Sequence, residues 1–244
     1  MDSRRNEEIC VNCKDRCCSR CFNGGIGGED SLFNCLTTEE LELLVKEKRH
    51  VHFKAGETIL KQNTFASHVV CIKHGLAKII AEGEGDKKLI LRLVTAHSIL
   101  TGGGIFIEEV RQFTVQAVTE IDCCFIDSDK IFKLVSKNSR FAFELLKLNN
   151  KQNVQILNNL VGITQKYMPG RVADLLLYLK NEIFQINPFN THLSRQELAD
   201  MCGMTMESFI RILKEFKSSE IITVDGPQIH IIDEEALARI SKKG

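Results

Sequence analysis

The hydrophobic pattern changes its period along the chain, and each period predicts a different kind of element. In LTTEELELLVKEK a threonine stands three positions before a glutamate and apolar residues follow at helical spacing, which predicts a capped amphipathic helix near residues 38–47. From residue 51 to about 130 the pattern becomes short apolar or alternating runs, such as HVVCIKHGLAKII and FTVQAV, separated by glycine-containing turns. Many short strands of this kind predict a β-roll or barrel.

The next segment predicts one long helix. Residues 138–168 contain no proline, and their single glycine is Gly162. A stripe at helical spacing consists of Leu146, Asn153, Leu157, Leu160 and Thr164. This length and a polar residue in the stripe favour a helix that pairs with a copy of itself, since a polar residue in a seam can set the register. The alternative is a helix packed only on its own domain.

The C-terminal region predicts a helix-turn-helix and a hairpin. Pro169 ends the long helix and suits the start of the next, GRVADLLLYLKNEI. In SRQELADMCGMTMESFIRILKEF, Ser194 and Glu197 form a second capping box. Gly203 can take the positive φ that ends this helix, and Thr205 is a suitable N-cap for the following one. ITVDGPQIHII then predicts a β-hairpin around its DG turn.

The two helices of this motif have distinct faces. The first turns Leu198 and Met201 inward, and Cys202 to Met204 make the turn. The second buries Phe209, Ile212, Leu213 and Phe216, and exposes Met206, Glu207, Ser208, Ile210 and Arg211. In DNA-reading motifs the first turns of the second helix face base edges in the major groove, and the hairpin would be a wing.

The residue types at two of these exposed positions suit base reading. A glutamate can accept a hydrogen bond from cytosine, and an arginine can donate two to guanine. Glu207 and Arg211 are four residues apart and share a face, so the alternative for this pair is an ordinary surface ion pair.

Composition adds mostly exclusions. The 244 residues are 43% hydrophobic and 26% charged, as in globular proteins, and no run approaches the roughly 18 apolar residues of a membrane span. No secretory signal is present, so we expect a cytoplasmic protein without a membrane contact. The net charge is zero, so the DNA prediction depends on the motif. No nucleophile–base pair, paired carboxylates or P-loop indicates an enzyme.

Five of the ten cysteines lie in CVNCKDRCCSRC, at residues 10–21. In a reducing compartment such a cluster favours metal binding or redox chemistry over disulfides. The predicted organisation is therefore a cysteine-rich head (1–36), a β-roll (37–135), a long dimerisation helix (136–168) and a winged helix-turn-helix domain (169–244), an α+β fold.

This order of parts resembles the CRP/FNR superfamily of bacterial transcription regulators. Gly56, Glu57 and Gly75 match the family's cyclic-nucleotide-binding-type roll, and the helix-turn-helix match is more specific. The resemblance implies a homodimer that binds double-stranded DNA at a palindromic operator and contacts RNA polymerase. Glu207 and Arg211 fall on the family's base-reading glutamate and arginine. We expect the neighbouring positions to lie at the same DNA interface: Arg195, Thr205, Met206, Ser208 and Ile210. The FNR branch has a serine where this chain has Ile210, and the CRP branch has an arginine where it has Met206, which leaves the outer bases of the half-site open.

The resemblance also suggests a signal. The FNR branch holds a [4Fe-4S] cluster through three N-terminal cysteines and one in the last part of the roll, since such a cluster needs four thiolates. Cys124 stands in register with that fourth ligand, and Cys10 and Cys13 form the first pair. The third head ligand stays open among Cys17, Cys18 and Cys21. A cluster of this kind would report oxygen, nitric oxide or redox state.

Other interpretations of the cysteines stay open. Cys10, Cys13, Cys18 and Cys21 could bind structural zinc, although four residues make a very short loop between the two pairs. The head could also be redox-active or without a metal, with Cys124 an ordinary buried cysteine. We interpret Cys35, Cys71, Cys123 and Cys202 as packing residues. No histidine spacing supports heme, and no βαβ unit supports a thiol oxidoreductase.

Cyclic-nucleotide sensing is disfavoured. In LTGGGIFIEEVRQFTVQA the glycines and Arg111 of cyclic-AMP-binding members are present. No glutamate follows the glycines, and Gln112 replaces the hydroxyl residue of those members. We interpret Gly102 to Gly104 as a tight loop.

Overall fold

A computed structural model describes residues 32–45, 48–84, 88–96, 98–101 and 110–244. The cysteine cluster at residues 10–21 and the glycines at 102–104 therefore lie outside the described residues.

The described elements alternate as the sequence patterns predict, with strands before the long helix and helices after it. In chain order the helices are a 3₁₀ turn Leu32–Cys35, α1 Thr38–Val45, α2 Ser128–Lys137, α3 Ser139–Gln165, α4 Met168–Tyr178, a π-helix Leu179–Phe184, α5 Arg195–Met201, α6 Met206–Ser218 and α7 Glu234–Lys243. The strands are β1 Arg49–Phe53, β2 Thr58–Leu60, β3 His68–His74, β4 Ala77–Glu82, β5 Lys88–Val94, β6 Ile99–Leu100, β7 Thr114–Ala117, β8 Ile121–Asp127, β9 Phe189–Asn190, β10 Ile222–Asp225 and β11 Gln228–Ile231.

Two four-stranded sheets form the predicted roll, with strand orders β1-β8-β3-β6 and β2-β7-β4-β5. A third sheet, β10-β11-β9, follows in the C-terminal region. The turn from β3 to β4 requires glycine: Gly75 has φ +99°, and a Cβ there would lie 2.2 Å from the carbonyl oxygen of Glu120. The α+β prediction is confirmed.

A hydrophobic cluster lies on one side of β3 and β8. It also contains residues of the 3₁₀ turn, α1, α2 and the start of α3. Its buried members are Leu32, Phe33, Leu36, Leu44, Ala66, Val69, Cys71, Cys124, Ile126, Ile131, Leu134, Phe141 and Leu145. The sequence patterns did not predict α2, which begins where the Asp127 carboxylate accepts a hydrogen bond from Asp129 N at 2.8 Å.

Apart from Gly162, the buried residues of the long helix α3 lie near its beginning. Phe141 and Leu145 belong to the cluster, whereas Leu146, Leu157 and Leu160 of the predicted stripe are each more than half exposed. Nothing in the described part of this chain covers that stripe. This exposure suits a helix that pairs outside its own subunit.

The described residues divide into two compact units. One contains the chain up to Ala77 together with Val94–Gln152, and the other contains Lys78–Leu93 together with Asn153–Gly244. The hairpin of β4 and β5 therefore belongs almost entirely to the unit of the C-terminal helices. None of the described helices is long and apolar enough to cross a membrane.

Candidate nucleic-acid interface and sensor site

Helix α5 begins with the predicted capping box. The Ser194 hydroxyl accepts a hydrogen bond from Glu197 N at 3.2 Å, and the Glu197 carboxylate accepts one from Ser194 N at 2.7 Å. Leu198 is fully buried, as predicted, whereas Met201 is only half-buried.

The turn and helix α6 also follow the prediction. Gly203 has φ +61°, and a Cβ there would lie 2.9 Å from Cγ2 of Ile163, so this turn needs glycine. Thr205 caps α6 by accepting a hydrogen bond from Ser208 N at 3.3 Å. The predicted buried residues of α6 are confirmed: Phe209, Ile212, Leu213 and Phe216.

The opposite face of α6 carries the candidate base-reading residues. Thr205, Glu207 and Arg211 are exposed, whereas Met206, Ser208 and Ile210 are half-buried and so less exposed than predicted. The Arg211 side chain remains 57% exposed and can present its guanidinium to a ligand.

Arg211 forms a surface ion pair, but its partner is not Glu207, the residue that the sequence offers four positions before it. Arg211 Nη1 donates to Glu215 Oε1 at 2.7 Å rather than to Glu207. Both pairs have i,i+4 spacing, and only the geometry of the helix surface selects between them.

The predicted wing is present as the hairpin β10–β11, with Gly226 at φ +53° in its turn. Strand β9, which the sequence patterns did not predict, pairs with β11. Arg195 at the start of α5 donates from Nη2 to the carbonyl of Gly226 and so ties α5 to the wing. Its Nη1 is buried without a hydrogen-bond partner, and burial lowers the pKa of Arg195.

In the roll, the candidate ligand Cys124 lies on β8 with only 2% of its surface exposed. Strand pairing places it directly opposite His50 on β1 and Cys71 on β3. Cys123 is fully buried, and burial raises the pKa of its thiol to about 12. The five described cysteines are thiols outside any disulfide, and the described residues contain no group of three metal-ligating side chains placed to hold a metal.

The remaining cysteines interpreted as packing residues are buried to different degrees. Cys71 and Cys202 are buried, and burial raises the pKa of Cys202. Cys35 is half-buried against the hydrophobic cluster, and burial raises its pKa as well.

A cavity of about 370 Å³ opens between strands of the roll, and several basic side chains line it. These are Arg49, Lys61, His68 and Arg111. Arg111 is 5% exposed, and its Nη1 is buried without a hydrogen-bond partner. Burial lowers the pKa of Arg111. None of the described residues that line this cavity is acidic, and this lining suits an anion.

Sequence reasoning missed two residues with contacts to the helix-turn-helix. One is Glu215, the partner of Arg211, and the other is Lys78 on β4, which forms an ion pair with Glu197. The only signal for Lys78 is a single lysine within the apolar run LAKII. Its partner is more than one hundred residues away, so local patterns could not have found the pair.

Two family matches cover the roll and the C-terminal region. Residues 50–138 match the cyclic nucleotide-binding domain, and residues 170–240 match the Crp-like helix-turn-helix domain. The chain belongs to the CRP/FNR family of transcription regulators. Regulators of this family bind DNA, act as dimers and are not enzymes.

Similar proteins are related at low identity over most of their length. The transcriptional activator protein FnrA of Stutzerimonas stutzeri is 21% identical over 228 residues, 92% of each chain. A CRP-like cAMP-activated global transcriptional regulator of Mycobacterium tuberculosis is 23% identical over 85% of this chain and 95% of its own. The structure of FixK2 from Bradyrhizobium japonicum superimposes with a TM-score of 0.73 at 15% identity, covering 80% of this chain and 97% of that chain. The last comparison shows the fold.

Proposed function

We propose that this regulator senses oxygen, nitric oxide or redox state through a [4Fe-4S] cluster held by the head and Cys124. The observation that carries the proposal is the hydrophobic cluster around Cys124. Leu32, Phe33 and Leu36, which follow the cysteines of residues 10–21 within the head, pack in the same hydrophobic cluster as Cys124. The start of the described chain is therefore anchored beside the candidate fourth ligand.

The length of the intervening chain supports this ligand set. Cys21 precedes Leu32 by 11 residues, and an extended chain spans at most about 3.3–3.6 Å per residue. The head cysteines are thus tethered within reach of the hydrophobic cluster that contains Leu32 and Cys124. We assign the remaining thiolates to Cys10, Cys13 and one of Cys17, Cys18 and Cys21, as the resemblance to the FNR branch implies.

The chain's own contribution is to couple the head to the rest of the protein. Strand β8 is hydrogen-bonded on both sides, by β1 and β3, and holds Cys124 in a rigid, water-excluded position. A bound cluster supplies chemistry that is sensitive to oxygen, nitric oxide and electron transfer. With such a cluster bound, ligation by Cys124 would join the head to the roll and would shift the equilibrium between arrangements of the dimer.

The output is DNA binding in the cytoplasm. We propose that the exposed stripe of α3 pairs with the same helix of a second copy, so that two α6 helices read a palindromic operator. Glu207 and Arg211 contact base edges, and Arg195, Thr205, Met206, Ser208 and Ile210 line the same interface. RNA polymerase is the partner through which the bound dimer acts on transcription.

Anaerobic reconstitution with iron and sulfide tests the sensor. We expect the wild-type protein to acquire acid-labile sulfide and a broad visible absorption from thiolate–iron charge transfer. Cys124→Ala should lose both, because one of four ligands is missing. Cys71→Ala is the matched control, because Cys71 is buried in the same hydrophobic cluster directly opposite Cys124. This variant should retain the iron–sulfur cluster.

Two outcomes would reject the iron–sulfur assignment. One is full retention of absorption and sulfide in Cys124→Ala. The other is zinc without sulfide in both the wild-type protein and Cys124→Ala, which would assign the metal to Cys10, Cys13, Cys18 and Cys21.

A second candidate effector is a small anion in the cavity of the roll. The observation that favours it is Arg111, a buried guanidinium whose Nη1 has no hydrogen-bond partner in a basic cavity. A buried charge without a partner is costly, and an anionic ligand would relieve this cost. Inorganic phosphate and cyclic AMP should then raise the melting temperature of the wild-type protein and have no effect on Arg111→Met. Equal shifts in both proteins would exclude this site.

A further inference from the structure

The β4–β5 hairpin contacts three helices of the compact unit that it shares with the C-terminal region. Lys78 Nζ donates to Glu197 Oε1 of α5. The backbone N of Leu93 and the hydroxyl oxygen of Tyr178 on α4 lie 3.3 Å apart in a hydrogen bond donated by the backbone. In addition, Asn159 Nδ2 of α3 donates to the Leu91 carbonyl at 3.4 Å. The hairpin thus holds the helix-turn-helix at its first helix and at the helix before it.

The Lys78–Glu197 pair is better protected from water than an ordinary surface ion pair. The side chains are 14% and 25% exposed, so solvent screening reduces their attraction less than at an open surface. Lys78 belongs to a strand of the roll, where an outward lysine would normally remain in solvent. Its burial against α5 indicates that this contact is a specific one.

Glu197 has two functions in this contact. One carboxylate oxygen accepts from the backbone N and the hydroxyl of Ser194, both at 2.7 Å, and thereby caps α5. The other oxygen accepts from Lys78. Burial raises the pKa of Glu197, but the hydrogen bonds from Lys78 and Ser194 outweigh it and hold the pKa below its ordinary value. The carboxylate is therefore charged at neutral pH, and both of its oxygens accept hydrogen bonds.

The hairpin leaves the base-reading face of α6 open. Glu207 is exposed, and the Arg211 side chain is 57% exposed while Lys78 is bound to Glu197. A contact that blocked DNA would cover this face. The geometry therefore favours a contact that orients the helix-turn-helix for binding over one that inhibits it.

We propose that Lys78 is a positioning residue for DNA binding, which acts through Glu197 to hold the first helix of the helix-turn-helix in a defined orientation. The inference rests on the proposed reading of a palindrome by a dimer. The two half-sites of such an operator lie about 34–36 Å apart, so both recognition helices must be aimed correctly at the same time. A loosely held helix-turn-helix keeps its affinity for one half-site and loses the advantage of binding two.

Binding of full-length Lys78→Met to three duplexes tests this prediction. The probes are a palindromic operator selected from a random pool by the wild-type protein, one isolated half-site, and a scrambled duplex of equal length. Fluorescence anisotropy should show palindrome affinity reduced roughly tenfold, a part of the gain of about 10²–10⁴ that linked sites provide. The control is Lys88→Met, which makes the same charge change at an exposed residue of the same hairpin. The affinities of Lys78→Met for the half-site and for scrambled DNA should stay within twofold of those of this control.

Two further variants separate positioning from damage to the fold. Glu197→Gln keeps a capping-box residue but loses the ion pair, so it should reproduce the loss on the palindrome. The double variant with Lys78→Met should be no worse than either single variant, because both remove the same interaction. Lys78→Arg should restore most of the palindrome affinity.

Several results would overturn the proposal. These are unchanged or tighter palindrome binding by Lys78→Met, an equal loss on the half-site, the same loss in Lys88→Met, or additive losses in the double variant. Failure of the proposed function gives a different result, since the wild-type protein itself would then bind the palindrome no more tightly than the half-site.

Discussion

The recognition helix α6 and strand β8 hold their candidate functional side chains in opposite environments. Arg211 on α6 is 57% exposed, whereas Cys124 on β8 is 2% exposed between two neighbouring strands. A side chain that reads DNA must meet base edges that approach through water. A thiolate ligand benefits from a rigid site from which water is excluded. The two environments match the two proposed functions.

The regions also differ in how far apart their partners are in sequence. Helix α6 is defined by features that lie within one short segment of the chain. These are the turn at Gly203, the N-cap at Thr205 and the apolar face of the helix. The proposed metal site would combine Cys124 with cysteines of residues 10–21, more than one hundred positions earlier. The reading site is therefore a local property of the chain, whereas the sensing site depends on tertiary structure.

The largest expected effect concerns the buried thiol beside Cys124. Burial raises the pKa of the Cys123 thiol to about 12, so the native protein at pH 8 should contain far less Cys123 thiolate than the unfolded chain. Alkylation of Cys123 in the wild-type chain, followed by peptide mass spectrometry, should therefore be much slower in the native protein than in urea.

The same shift has a pH consequence. Because the folded thiol stays neutral where the unfolded one ionises, the Cys123 contribution to stability should be present below about pH 9 and decrease as the pH rises further. Native labelling as rapid as that in urea would show that β8 opens readily and would remove the contrast with α6.

The next effect tests exposed reading by α6. Arg211→Ala should weaken binding to the selected operator by about 1–3 kcal/mol, because a guanidinium that bonds guanine is lost. Binding to scrambled DNA of the same length should change much less. An equal loss on both duplexes would mean that Arg211 contacts only phosphates.

A smaller effect is expected at the start of α6. Thr205→Ala should lower the free energy of unfolding by about 0.5–2 kcal/mol, since Ser208 N loses its hydrogen-bond acceptor. Thr205→Ser, which keeps a hydroxyl, is the control and should remain near the wild-type value in chemical denaturation. If both variants lose equal stability, the cap does not stabilise α6.

The smallest expected effect is at Glu215. Glu215→Gln removes an exposed i,i+4 ion pair with Arg211, which should cost only about 0.3–0.5 kcal/mol of stability. The affinity of this variant for DNA should rise slightly, because Arg211 no longer has to break its ion pair with Glu215 before it contacts DNA. Glu220→Gln removes an exposed charge just beyond the helix and serves as the control. A decrease in affinity specific to Glu215→Gln would show instead that Glu215 orients Arg211.

The sequence patterns correctly predicted the structural features that depend on residues close together in the chain. Both capping boxes, the positive φ of Gly203, the buried face of α6 and the wing are present as expected, because each depends on residues a few positions apart. Helix α2, strand β9 and the choice of Glu215 over Glu207 were not predicted. In these cases several local patterns are equally acceptable, and packing selects one.

The sequence by itself determined that the chain contains a β-rich region, a long helix and a DNA-reading motif, and it placed Arg211 on an exposed face. Only the tertiary structure placed Cys124 in one hydrophobic cluster with the last residues of the head, left Arg111 with an unbonded buried nitrogen, and paired Lys78 with Glu197. The physical reason is the distance along the chain between the residues that interact. Helix caps and faces form from neighbours within four residues, whereas strand register and the burial of a charge depend on segments that meet only when the chain folds.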